Sequence, residues 1–210
     1  MSEDTREKLL RGALTTLVEQ GIAKTSARSV AAAAGVNQAL VFYHFGSVDG
    51  LLAAACRHGA EQRVARYRDE LAGITSLAGL LDFGRRMHER ERAEGHVAVL
   101  GQLLAGAQSQ PRLGPATAAG LDLWITEIEQ VLTRVLGDTP VAGLADPAGL
   151  ARAVAAAFVG LELYEGVDPD GAGRALDALE QLGVLLAAFE SLGPVAQRAV
   201  RLQVKRAARR

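Results

Sequence analysis

The chain has 210 residues, 49% hydrophobic and 22% charged, with a net charge of −1 at pH 7; that length holds one medium domain or a small domain fused to a larger one. A single cysteine, Cys56, excludes an internal disulfide, and the near-neutral charge excludes recognition of a partner by bulk basicity. The charged start MSEDTREKLL lacks the apolar core of a secretory leader. No apolar run reaches the roughly 18 residues of a membrane span, the longest being residues 153–161. The expected setting is therefore the cytoplasm, with no membrane partner.

The apolar residues are mostly Ala, Leu and Val, aromatics are 4%, and no stretch alternates apolar and polar in the manner of a strand. The expectation is an all-α protein of about ten helices. Residues 3–20 form an amphipathic helix with Leu9, Leu10, Ala13, Leu14, Leu17 and Val18 on one stripe, ended by Gly21. Ser26 caps a short helix running to about Ala34; its third position is Ser29 rather than an acid, which leaves the capping box incomplete. Gly35 allows a tight turn, Asn37 is a second cap, and QALVFYHF is a second short helix. Helix, glycine turn, helix, with a longer helix in front, is the layout of a helix-turn-helix domain. Val30, Ala31, Ala34, Val36 and Val41 are its expected core, closed by Phe45.

Ser47 caps a fourth helix and Ser76 a fifth; another covers about 96–109. Pro115 suits the first turn of the next, which ends near Gly137, and Asp146-Pro147 starts one that reaches about Tyr164. The segment GVDPDGAG reads as a loop before a helix over 172–192, and Pro194 starts a last helix. In that tail Arg198, Arg201, Lys205, Arg206, Arg209 and Arg210 stand with no acid, so the rest of the chain is acidic.

The segment GIAKTSARSVAAAAGVNQALVFYHFGSVDGLLAAA resembles the signature of the tetracycline-repressor (TetR) family of bacterial regulators. Its glycine, Ser/Thr cap, Arg-bearing helix, Ala-Gly-Val turn and aromatic-His-Phe ending fall at fixed offsets. The resemblance covers roughly residues 5–55; the later chain is similar only in helix number and length. It implies a homodimer with a DNA-binding domain at 1–46 and a ligand-binding and dimerisation domain at 47–210. Three positions depart from the pattern: Leu40 stands for a frequent Thr, Phe42 for a frequent Tyr, and Val48 for a lysine that reaches the DNA backbone.

By motif position Gln38 reads adenine through its amide, Ala39 and Leu40 meet thymine methyls, and Arg28 reaches guanine or phosphate. Thr25, Ser26, Asn37, Tyr43 and His44 complete the expected DNA contacts, with the amides of helix starts helping to hold phosphates. On helices that surround a central cavity in this family lie Phe83, Met87, Gln102, Leu103, Trp124 and Ile128, the expected lining for a small, largely apolar effector. Leu150, Val154, Phe158 and Leu161 make one apolar stripe, and Leu179, Leu182 and Leu186 lie on another, as in a four-helix dimer bundle.

No nucleophile, phosphate loop or calcium loop is apparent. The four histidines lack the i, i+4 spacing of a helical zinc pair, so no catalytic residue, metal or cofactor is expected. The run RRMHERERAE reads as a solvated helix face. The expected function is a ligand-responsive transcriptional regulator, most simply a repressor that binds palindromic operator DNA as a homodimer. The alternative is a helical ligand- or partner-binding module whose DNA binding is weakened or lost.

Overall fold

The computed structural model describes residues 2–94, 96–109, 114–137 and 146–191, with five further positions between 193 and 202. Most of the expected tail helix from Pro194 lies outside the described residues. Among these residues the fold is all-helical, with nine α-helices and a 3-10 turn at Ile22–Lys24. The helices are α1 (Ser2–Gln20), α2 (Ala27–Ala34), α3 (Ala39–Phe45), α4 (Val48–Ala72), α5 (Leu77–Ala93), α6 (His96–Ser109), α7 (Gly114–Gly137), α8 (Pro147–Glu165) and α9 (Pro169–Glu190).

The chain divides into two compact units: Met1–Arg66 with Arg90–Trp124, and Tyr67–Glu89 with Ile125–Arg210. All of α6 and the first half of α7 belong to the same unit as the three short-range helices at the amino terminus.

In the first unit the apolar stripe of α1 is buried as its spacing requires. Leu9, Leu10 and Ala13 join Val30, Val41, Leu51 and Ala55 in one core, with Ala34, Val36, Leu40 and Phe45 partly buried against it. Leu17 joins Leu52, Cys56 and Leu103 in a second. Helix α1 meets α2 at Gly12, where a Cβ atom would lie 2.9 Å from Ala34 Cβ and 3.0 Å from both Ala34 N and Val30 O. Only glycine permits that approach. The Gly12 carbonyl also accepts a 2.7 Å hydrogen bond from the buried Thr16 hydroxyl, which satisfies a polar side chain inside an apolar layer.

In the second unit Tyr67 and Phe83 are buried and meet edge to face, with centroids 5.8 Å apart. The Arg134 guanidinium donates to the carbonyls of Leu71 (2.9 Å) and Ile74 (3.1 Å), capping the end of α4. Helices α8 and α9 pack on each other. Asp146 caps α8 by accepting from the Ala148 amide, and α9 begins in the same way. Asp168 accepts from the Gly171 amide at 2.9 Å, so most of GVDPDGAG is the first turn of α9 rather than a loop. The two Asp-Pro pairs carry one signal: a carboxylate to take a free amide, then a ring that needs none.

Two substitutions test the packing. Gly12→Val is expected to cost about 1–3 kcal/mol, the usual penalty for overpacking, because backbone atoms face the new side chain. Gly84→Ala, where a Cβ meets nothing within 4 Å, should instead gain up to about 1 kcal/mol from helix propensity. Urea unfolding of both variants reads the difference.

Burial pushes the Cys56 thiol up to about 11 from an ordinary 9.0. The native protein is therefore expected to resist thiol reagents at pH 8 and to react on unfolding. A raised folded value means that its stability contribution is intact below pH 9. It is lost as pH rises from about 9 to about 11, since the unfolded thiol ionises first.

Candidate nucleic-acid interface

The interface is built from caps outward. Ser26 Oγ accepts from the Ser29 amide at 3.1 Å, and Ser29 Oγ accepts from the Ser26 amide at 2.9 Å. The capping box of α2 is thus complete, with a serine hydroxyl in the place of the usual acid. The Thr25 hydroxyl donates to the Gly21 carbonyl at 2.9 Å, which pins the turn before α2. Gly35 ends α2 in the left-handed region at φ 66°, a conformation that costs glycine nothing. Its successor Val36 folds back, its amide donating to the Ala31 carbonyl. Asn37 Oδ1 accepts from the Ala39 amide at 2.8 Å and so opens α3.

Helix α3 has two distinct sides. Val41 is fully buried, and Leu40 and Phe45 are partly buried against the same core. The opposite side presents Gln38, Ala39, Phe42 and Tyr43, two i, i+4 pairs, to solvent, with Phe42 52% and Tyr43 80% exposed. Solvent exposure of aromatic rings on a helix of seven residues is costly unless a partner covers them. Arg28 and Ser26 are exposed on α2, and Asn37 is exposed in the turn. Thr25 and His44 are half-buried; the His44 ring lies edge-on to Tyr43 at 4.9 Å. Arg6, which no motif marks, holds its guanidinium 5.4 Å from the centre of the Phe45 ring. It ties the start of α1 to the end of α3 by a cation–π contact.

Of the three departures from the signature, only Phe42 lies on the exposed side. Leu40 packs on the core, and Val48 packs against Leu17, Leu52, Cys56 and Leu103. Their apolar character serves the domain's interior.

The other candidate residues are distributed over both units. Gln102 Oε1 accepts from the Ile22 amide at 3.1 Å, and Leu103 is buried beside Leu17. Both therefore hold α6 against the amino-terminal helices. Trp124 is half-buried in the same unit; Phe83 and Met87 are buried in the second, where Ile128 is half-buried. On α8 and α9, Leu150, Val154, Leu179 and Leu182 are exposed, and Leu161 and Leu186 are half-buried. Phe158 is turned towards His88, its ring edge-to-face at 6.2 Å.

A buried polar cluster in the second unit was invisible to spacing rules. His88 Nδ1 lies 2.5 Å from Glu162 Oε1, and His88 Nε2 lies 3.3 Å from Glu165 Oε2. Residues 74 positions apart meet there, which no local motif reveals. The run RRMHERERAE is accordingly not a solvated face throughout, since Met87, His88 and Glu91 are buried. Its charges alternate in sequence, but a helix turns every fourth residue inward.

The caps, the Gly35 turn and the two-sided α3 define a helix-turn-helix domain at the amino terminus. Residues 9–55 match the family model of bacterial regulatory proteins, tetR family. The chain is 39% identical over 66 residues to the HTH-type transcriptional regulator BetI of Stenotrophomonas maltophilia, covering 30% of this chain and 34% of that protein. It thus spans about a third of that relative's length. It is 26% identical over 190 residues to BetI 2 of Chromohalobacter salexigens, covering 83% of this chain and 82% of the other. The crystal structure of a TetR-family regulator from Rhodococcus sp. superimposes with a TM-score of 0.70 at 24% identity, covering 88% and 98% of the two chains. Over residues 9–55 the chain is thus similar to the TetR family of bacterial regulators, and over most of its length it shares the fold of a TetR-family structure.

The assignment of contacts is testable. Gln38→Ala and Arg28→Ala are each expected to cost about 1–3 kcal/mol of discrimination against altered operator bases, with stability unchanged within about 0.5 kcal/mol. Fluorescence anisotropy with cognate and single-mismatch duplexes measures it. Unaltered binding by both variants would remove these residues from the interface.

Proposed function

We propose that the protein is a ligand-responsive repressor that binds palindromic operator DNA as a homodimer and leaves it when a small, largely apolar effector binds. The observation that carries DNA reading is the exposed side of α3. Gln38, Ala39, Phe42 and Tyr43 share one face of a helix whose other face is held in the core. A short helix presented in this way fits the major groove. Arg28, Ser26, Thr25, Asn37, Tyr43 and His44 surround it as phosphate and base contacts. Ala39 lies beside Tyr43 to meet a thymine methyl, with Leu40 at the edge of that face. Phe42 adds apolar contact in place of a hydroxyl.

Dimerisation is supported by α8 and α9. Leu150, Val154, Leu163 and Tyr164 on α8, and Leu179, Leu182, Val184 and Leu185 on α9, leave large apolar side chains exposed on a packed helix pair. A second copy that covers them with the same surface makes a closed two-fold bundle. Two recognition helices then stand one turn of duplex apart and read a palindrome. The site of action is the cytoplasm, where that DNA lies.

Release follows from the placing of Gln102. Its side chain fastens α6 to the Ile22 amide, just before α2. An effector that favours a different position of α6 shifts the population of helix-turn-helix positions. Such a protein acts by binding and not by catalysis.

The test is selection of genomic fragments on the purified protein, followed by stoichiometry and light scattering. Two chains per palindromic site are expected, with affinity falling steeply as salt rises. Leu179→Glu with Leu182→Glu should yield a folded monomer with at least about tenfold weaker operator binding, because the half-sites are no longer read together. A wild-type monomer at micromolar concentration, or selection of no DNA, would overturn the reading.

A further inference from the structure

The triad in the second unit is unusual for an apolar helix pair. The His88 side chain is 2% exposed, that of Glu162 3% and that of Glu165 13%. Glu162 and Glu165 are three residues apart on α8, which sets both on one face. They take the two ring nitrogens of a histidine from α5. Phe158, a further turn back along the same face, holds the imidazole ring edge-on. One ligand atom from each of the three residues lies within 4.8 Å of the other two.

We propose that His88, Glu162 and Glu165 form a binding site for a divalent transition-metal ion of the zinc class. The donor set is one imidazole nitrogen and two carboxylate oxygens, which suits zinc, cobalt, nickel or manganese better than magnesium or calcium. Ligand bonds of about 2.0–2.2 Å would draw one imidazole nitrogen and one oxygen of each glutamate, already within 4.8 Å of one another, onto a common centre. The tightness of the cluster favours an ion over an organic cation, which needs a cavity. Three protein ligands leave a fourth position for water or a bound anion.

The experiment uses full-length, tag-free protein treated with chelator and then titrated with Co2+, read by visible absorption. Metal content after dialysis against Zn2+ gives the stoichiometry. One ion per chain is expected, with the absorption of a low-symmetry cobalt site that Zn2+ abolishes on competition. Glu165→Gln, His88→Ala and Glu162→Gln should each weaken Co2+ binding at least about tenfold, with helix content checked by circular dichroism. Glu165 is the most exposed of the three, so its variant is the one that best keeps its fold. Binding of no metal by the wild-type chain at up to millimolar Co2+ or Zn2+ would overturn the proposal. So would a wild-type affinity retained in folded Glu165→Gln. Neither result bears on operator binding, which is measured separately.

Discussion

The rest of the amino-terminal unit depends on how closely α1 and α2 approach. At Gly12 the two backbones come within the distance that a single Cβ would occupy. That contact brings Leu9, Leu10 and Ala13 onto Val30, and through Val30 onto Val41 and Leu51. A helix of eight residues and a helix of seven have no stability of their own in water. They persist because α1 supplies a continuous apolar surface, and because each end is satisfied by a cap from the chain itself: Ser26 with Ser29, Gly35, and Asn37. With that surface fixed, one side of α3 is held in the core and its outer side is left to solvent.

Rigidity on one side explains the economy of the other. Phosphate and base contacts require side chains held at defined positions, and the positions come from residues that never meet a ligand. Leu40 and Val48 illustrate the division. Polar residues there would add reach, but in this chain both sit against apolar clusters and contribute to the support. The Gln102 bond to Ile22 extends the same logic outward. It ties the position of the turn before α2 to a helix distant in sequence.

The second unit poses an electrostatic problem in place of a packing one. Helix α8 is nearly all apolar, yet it carries two glutamates on the stripe that also holds Ala151 and Ala155. Carboxylates on an inward stripe are expensive unless something of opposite charge meets them. His88 meets both from α5, and the convergence of one imidazole and two carboxylates is the ground for expecting a metal cation there. Outward, the same helix and its neighbour leave leucines bare, a surface that suits a copy of itself.

Local physics decided a good deal of this protein in advance. Serine caps, Asp-Pro starts, glycine stops and 3.6-residue periodicity marked most helices, and the fixed spacing around Gly35 and the aromatic end of α3 carried the resemblance to the TetR family that the match over residues 9–55 repeats. Errors at this level were also local: the serine-for-acid capping box, and a loop over GVDPDGAG where the Asp168-Pro169 signal was missed. Tertiary structure alone decided which side of each helix is free. It turned Phe42 and Tyr43 out and Leu40 in, placed Gln102 on a distant amide, and brought His88 to Glu162 across 74 residues. The reason is physical. Caps and periodicity act within a turn or two of helix, whereas burial and charge pairing depend on which helix faces which.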